Sequence, residues 1–386
     1  MTARVASQSR SGGVMIAGGV TAGMDRPIDE FFDEFTRRDW RTLDPAAVDD
    51  PVRVAVVGLG WFSREWALPG IRRSAYTEAT VGVDIDAGAV DAVAGAHDLV
   101  GLSPAEFHDG VAADEYDAVY VATPNAAHLE YVETAADLGK PILCEKPLEA
   151  TVDRAERLVA ACADADVPLM VGYRMQTDPA VRRTAELLGA GFAGDVVHVH
   201  ATMSQTMLDE LDGEADQWRL DPERSGGCAL MDIGIYPLNT TRYVLGEDPV
   251  RVSGRTRSEH AAFEGVDEHA SFRLEFPDDV HAHCTVSQNA QHASRLEITG
   301  TEGRLVLDPA FYEREDRGVR LERGGTATDV AFDQVHQPAE EFAYFGHHLL
   351  VGTPFHPDGE HALTDMRALS GIYESADAGA PVSLSE

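Results

Sequence analysis

The chain has 386 residues, 66 of them acidic and 31 basic, for a formal net charge of −35. A surface of that sign repels phosphate backbones and anionic headgroups, so no nucleic acid and no membrane partner is expected. The length suggests two domains, and no stretch approaches the ~18–20 continuous apolar residues of a membrane span.

Only Lys140 and Lys146 are lysines; the other basic residues are arginines. Diffuse acidity with so little lysine reads as a cytoplasmic protein adapted to concentrated salt, where screening weakens self-repulsion. Cys144, Cys162, Cys228 and Cys284 are scattered, with no paired spacing. Neither a zinc cage nor a disulfide framework is expected from them.

Residues 1–50 read as an N-terminal extension. Within it, 1–23 carry Arg4, Arg10 and a weak, glycine-broken apolar run over 14–20. Met24 is the expected natural start, with 1–23 disordered or absent from the mature protein. From Asp25 the sequence turns acidic and helix-like through Ile28, Phe31, Phe32 and Phe35.

The domain over 51–172 alternates strand and helix. Residues 52–57 are a β-branched run that ends at Gly58, as a buried strand does. A helix over 61–74, a strand over 80–83 and a helix over 87–96 follow. The next strand is 118–122, then a helix over 126–138 stopped by Gly139. Strands over 141–144 and 168–172 flank a helix over 151–165 that opens on a Thr151 cap. This rhythm implies a doubly wound parallel sheet.

The domain over 173–386 changes rhythm. Helices over 179–188 and about 228–245 precede strand-like segments near 250–256, 270–276, 280–287, 294–299, 303–307 and 318–322. Two late helices, 338–351 and 361–378, close the chain. The expected architecture is α+β around an open, largely antiparallel sheet.

Three constellations carry chemistry. Gly58-Leu59-Gly60-Trp61-Phe62-Ser63 follows a strand and opens a helix, where a dinucleotide pyrophosphate binds. Ser63 stands where the third glycine of that pattern would be. Asp84, 26 residues after Gly58, ends the second strand, where a carboxylate bonds ribose hydroxyls and repels a 2′-phosphate. Asp84 therefore leans toward NAD over NADP.

Glu145-Lys146-Pro147 ends another strand, at the sheet edge that faces the ligand crevice. A chain that has nearly eliminated lysine keeps Lys146 there, as a compact charge that can deprotonate. Asp232 and Tyr236 lie in a glycine-flanked segment, 226–236. If that segment is helical, they share one face, and its glycines let the face approach the nicotinamide. Pro237 would kink such a helix.

Together these motifs resemble the Gfo/Idh/MocA oxidoreductase family over residues 52 to about 380. Ala122-Thr123-Pro124-Asn125-Ala126-Ala127-His128, Gly172-Tyr173-Arg174, Gln217-Trp218-Arg219-Leu220 and Gly300-Thr301-Glu302-Gly303 add to the likeness. The similarity is greatest to the glucose–fructose oxidoreductase branch and its halophilic xylose-oxidising members. The resemblance implies an N-terminal Rossmann domain and a second domain whose open sheet supports a homo-oligomer, a dimer or tetramer. It implies NADP or NAD as cofactor, the NADP preference of those members standing against Asp84. It places Thr123, Pro124, Asn125, His128 and Glu145 beside the cofactor, Lys146 near the reacting hydroxyl, and Tyr236 as acid/base. The Lys146–Pro147 bond is expected to be cis.

The expected reaction is oxidation of the anomeric hydroxyl of an aldopyranose, D-xylose to its lactone in the first instance. Tyr236 would remove the proton, helped by the Lys146 ammonium, since a free phenol ionises near pH ~10. Asp232 would orient the sugar or the lysine. Trp61, Arg174, Trp218 and Arg219 are candidate sugar contacts. Asn239 stands where many family members carry aspartate, which alters the expected sugar contacts. His198 with His200, and His281 with His283, lie two apart, so each pair would share one strand face; no metal is expected there. The alternatives are a dehydrogenase of another polyol, a sugar–sugar oxidoreductase that retains its cofactor, and a non-catalytic dinucleotide-binding regulator.

Overall fold

A computed structural model describes residues 40–210, 217–312 and 317–384. The expectations for residues 1–23, and for a helix through Ile28, Phe31, Phe32 and Phe35, lie outside the described residues.

The first sheet comprises β1 (Val52–Val57), β2 (Thr77–Val83), β3 (Val100–Leu102), β4 (Ala118–Val121), β5 (Ile142–Glu145) and β6 (Leu169–Gly172). They lie in the order 3-2-1-4-5-6, all parallel, which is the doubly wound Rossmann arrangement. The strand order reverses between β1 and β4, so the crevice opens at their carboxyl ends. A π-helical turn over Ser63–Ala67 leads into α1 (Leu68–Arg73). The other connections are α2 (Ala87–His97), α3 (Pro104–His108), α4 (His128–Asp137) and α5 (Val152–Asp164). Thr151 caps α5 by accepting from Arg154 N, as the sequence implies. β3 and α3 were not expected; α3 is a short helix set by a Ser103–Glu106 capping box.

After α6 (Pro179–Gly189) the chain enters a nine-stranded sheet. Its strands are β7 (Val196–Thr206), β8 (Arg251–Arg257), β9 (His269–Glu275), β10 (His281–Ser287), β11 (Asn289–Gly300), β12 (Gly303–Leu307), β13 (Arg317–Arg323), β14 (Thr326–Phe332) and β15 (Val382–Ser383). Their order is 14-13-12-11-7-10-9-8-15, antiparallel except where β7 meets β10. β7, β14 and β15 lie outside the strand segments expected above. β7 matters most, because it sits between β10 and β11 near the middle of the sheet. Its period of two is clear: Val199, Ala201 and Met203 are buried, while His198, His200 and Thr202 lie on the other face. β7 and β10 run in parallel register with His198 beside His281 and His200 beside His283, so the four histidines form one patch.

α7 (Ile235–Leu245) covers the inner face of this sheet, and α8 (Gln337–Val351) and α9 (Gly359–Ala378) close the chain. α8 crosses back to the first domain. Its Phe342 and Phe345 join Val54, Val56, Leu68 and Ile71 in one buried cluster. Burying two phenylalanines contributes about 1.5–3 kcal/mol each. That holds the N-terminal turn of α8 close to the carboxyl ends of the Rossmann strands.

Candidate active site

The turn after β1 is shaped for a dinucleotide. Gly58 has φ +92°, and a Cβ there would lie 2.6 Å from the carbonyl oxygen of Ala122. Only glycine fits so close to the end of β4. A Cβ on Gly60 would meet nothing within 4 Å, which leaves its backbone open to a ligand. Ser63, the departure from the glycine pattern, is buried and donates its hydroxyl to Gly58 O, closing the turn from beneath. Asp84 accepts from Leu59 N at 2.6 Å and from Asp86 N at 2.9 Å, so its carboxylate is fixed at the edge of the turn.

Across the crevice, the Thr123 hydroxyl is buried with no partner among the described residues. Pro124 leads into a 3-10 turn over Asn125–Ala127. Asn125 Nδ2 donates to Ser225 O at 2.8 Å and ties that turn to the second domain. The ring nitrogens of buried His128 lie 3.0 Å from the carbonyl oxygens of Thr123 and Leu148. The open glycine backbone, the unpaired hydroxyl and the fixed Asp84 fit a dinucleotide laid across the β1–β4 switch point. Gly58, Gly60, Asp84 and Thr123 would hold it. Trp61 is 58% exposed at the rim, whereas Phe62 packs half-buried against the first domain's core.

Lys146, Asp232 and Tyr236 converge. The Lys146–Pro147 peptide is cis. Lys146 Nζ donates to Asp232 O at 3.0 Å and lies 3.4 Å from Asp232 Oδ1. It sits 4.9 Å from the centre of the Tyr236 ring. Burial opposes the ammonium, but Tyr236, Asp232 and Glu145 outweigh it and hold Lys146 above the usual lysine range. Burial would raise the Asp232 carboxyl, yet Arg219 and Lys146, with a bond from Gln288, hold it down at about 2. Glu145 accepts from Tyr120 at 2.8 Å and from the backbone N–H of Lys146 at 3.2 Å.

The local fold explains the convergence. The segment from Cys228 is not one α-helix: residues Ala229–Gly234 form a π-helical stretch, and α7 begins at Ile235. The helical backbone runs on unbroken from the π-helical stretch, with Gly234 at φ −65° and ψ −25°, so Pro237 lies inside it, and the widened turn just before is where the hydrogen-bond ladder takes up its missing N–H. Such π-helical widening is frequent at functional sites. The glycines play a different part from the one expected. A Cβ on Gly226 would lie 2.2 Å from Ala150 O, and one on Gly227 would lie 2.0 Å from the Tyr373 hydroxyl. They admit protein neighbours, not the nicotinamide.

The remaining candidates separate. Arg219 Nε lies 3.2 Å from Asp232 Oδ2, and its guanidinium stacks 4.5 Å over the Trp218 ring. Arg174 is turned toward protein: its Nε donates to the Tyr236 hydroxyl at 2.9 Å, and its Nη1 donates to Gln337 Oε1. Asn239 is buried among Gln176, His361 and Asp365, so it is a packing residue of α7. Three residues escaped the sequence reading. Gln288 is fully buried and donates to Asp232 Oδ2 at 2.8 Å. Gln337 holds Arg174, and Glu341, four residues on, is 2% exposed beside it. Burial, then Glu145, pushes the Glu341 carboxyl well above the usual carboxylate range. The i, i+4 spacing of Gln337 and Glu341 was the only available signal, and it is common to any helix face.

Two family models match: "Oxidoreductase family, NAD-binding Rossmann fold" over residues 52–173 and "GFO/IDH/MocA C-terminal domain" over 181–306. The chain is 48% identical over 360 residues to a D-xylose 1-dehydrogenase [NADP(+)] of Haloarcula marismortui, covering 92% of this chain and 99% of that protein. It is 32% identical to D-xylose 1-dehydrogenase (NADP(+)) 2 of Haloferax volcanii, covering 85% and 98%. Among solved structures, aldose-aldose oxidoreductase from Caulobacter crescentus, complexed with glycerol, matches with a TM-score of 0.81 at 28% identity, covering 87% of this chain and 100% of that one. With its Rossmann turn, and its Glu-Lys-Pro strand end meeting the Asp232–Tyr236 segment, this chain belongs to the GFO/IDH/MocA family of NAD(P)-dependent oxidoreductases.

Proposed function

We propose that the protein oxidises the anomeric hydroxyl of an aldopyranose, with D-xylose the first candidate, to the lactone. The observation that carries this is the meeting of Lys146, Asp232 and Tyr236 at the carboxyl end of β5. The two xylose dehydrogenases among its relatives support the choice of sugar. The bound nicotinamide supplies the acceptor for the hydride of C1. Tyr236 Oη takes the proton of the anomeric hydroxyl. Lys146, kept protonated by Asp232, donates to a substrate oxygen. Trp61, Trp218 and Arg219 flank the sugar from the rim, with aromatic faces suited to its apolar side. The cofactor is NADP or NAD: Asp84 leans toward NAD, because a fixed carboxylate repels a 2′-phosphate, whereas the two xylose dehydrogenases among the relatives are named for NADP(+).

The same reading places the enzyme in the cytoplasm of a cell rich in salt, on the strength of its charge and scarce lysine. Among the described residues no helix is long and apolar enough to cross a membrane. The outer face of the nine-stranded sheet, with its histidines and Arg255, Arg273 and Arg295, is the surface on which we place a homo-oligomer. Light scattering in molar salt tests that assembly; a monomer removes it.

One assay tests the activity: NAD and NADP reduction against pentoses, hexoses and inositols in molar salt. Strongest turnover with D-xylose supports the proposal. No reduction with any sugar overturns it. A Tyr236→Phe enzyme should bind cofactor normally and lose about 10²–10⁴-fold in turnover.

A further inference from the structure

The cation that touches the phenol oxygen is not Lys146. Among the described residues the Lys146 ammonium bonds Asp232, and it meets Tyr236 over the ring. The hydroxyl itself accepts from Arg174 Nε at 2.9 Å, and the guanidinium carbon lies 4.6 Å from the ring centre. Arg174 is 8% exposed, so this bond is little screened by solvent.

The guanidinium is itself held from outside the Rossmann domain. Arg174 Nη1 donates to Gln337 Oε1, and Gln337 Nε2 donates to Asp178 Oδ2 at 3.0 Å. Asp178 in turn caps α6 through Ala180 N, at 3.0 Å, and lies 3.4 Å from Arg317 Nη1. Asp178, Gln337 and Arg174 thus form a buried chain that ends on Tyr236 Oη. A lysine can give up its proton; an arginine stays charged at any pH the enzyme meets.

We propose that Arg174 is the positioning residue of the acid/base. Its Nε–H stabilises the phenolate that forms at Tyr236 and occupies one lone pair, leaving the other directed at the substrate hydroxyl. Gln337 fixes the guanidinium in that orientation. Lys146 is thereby left to act on the substrate oxygen. This rests on Tyr236 being the base, and it gives the late helix α8 a part in the chemistry.

The test is the pH profile of kcat/KM for Arg174→Gln, Arg174→Lys and Gln337→Leu, beside Tyr236→Phe. For Arg174→Gln the limb of activity that rises with pH should move up by about 1–3 units, the effect of removing an adjacent opposite charge. Activity should recover at high pH, with the sugar KM changed less than kcat. Arg174→Lys and Gln337→Leu should move the limb in the same direction by less, and they carry the test if Arg174→Gln does not fold. A tyrosinate absorbance titration, taken as wild type minus Tyr236→Phe to isolate one of the ten tyrosines, should show the same displacement without substrate. A uniform fall in rate with an unmoved limb and an unmoved titration overturns the role of Arg174. If Tyr236→Phe keeps near-wild-type turnover, the base assignment itself falls, a result distinguishable from the first.

Discussion

The ammonium of Lys146 bonds both the main-chain carbonyl and the carboxylate of Asp232, at 3.0 and 3.4 Å, across the junction of the two domains. Arg219 bonds the same carboxylate from the other side, at 3.2 Å. The three charges are not equivalent, because one anion serves two cations.

Removing the anion should therefore cost more than removing either cation. Asp232→Ala strands Lys146 and Arg219 together and should destabilise the fold by about 3–5 kcal/mol. Lys146→Met leaves Asp232 paired with Arg219 and Gln288, so its stability loss should be clearly smaller while turnover collapses. Denaturant unfolding of both variants in the same salt checks the order; equal losses would sink it.

The two cradle glycines should part in their behaviour. Gly58→Ala forces a Cβ against Ala122 O at a positive φ and should cost the fold about 1–3 kcal/mol. Gly60→Ala meets no protein atom, so the melting temperature should stay near that of the wild type. Cofactor affinity should still fall by about tenfold or more, read by fluorescence titration with NAD and NADP. Unchanged affinity in Gly60→Ala would mean that the dinucleotide lies elsewhere.

Cofactor choice should move with Asp84. Asp84→Ser removes the charge that opposes a 2′-phosphate, though it also loosens the bond to Leu59 N. The ratio of kcat/KM for NADP over NAD should rise by about tenfold or more. A ratio that does not move removes Asp84 from the ribose site.

Acid should weaken the protein in two separate windows. His356 and His361 are held below the usual histidine range, His361 far below, chiefly by burial. The unfolded chain, titrating near ~6.5, then binds more protons than the folded one, so stability falls as pH drops below about 6.5. Asp232, held at about 2, acts lower: its contribution is present above its unfolded value near ~3.9 and is lost as pH falls toward 2. Melting temperature against pH should therefore decline already between pH 7 and 5. His361→Gln, which keeps an amide beside Gln176 and Asn239, should flatten that first decline. An equally steep decline in the variant would show that His361 is not its source.

Local signals carried much of this protein. A β-branched run, a tight glycine turn and a helix announce a dinucleotide site because each is fixed by near neighbours in the chain. Glu145-Lys146-Pro147 was legible for the same reason, since a strand end in an open α/β sheet faces the crevice wherever it occurs. β7 was legible in part: the spacing of His198 and His200 suggested a strand face, but the alternation with Val199, Ala201 and Met203 that gives the strand its length was not followed. The π-helical stretch was not legible, because it follows from how residues 228–234 pack.

The amino-acid order alone pointed to the Rossmann half and the family, and singled out Lys146 and Tyr236 as candidates. Tertiary structure decided what each of them touches. Arg174 and Tyr236 are 62 residues apart, Arg174 and Gln337 are 163 apart, and no periodicity links them. The second pairing depends on α8 returning to bury Phe342 and Phe345 on the first domain. Hydrophobic burial is non-directional, so the sequence can mark those phenylalanines as core without saying which core they join.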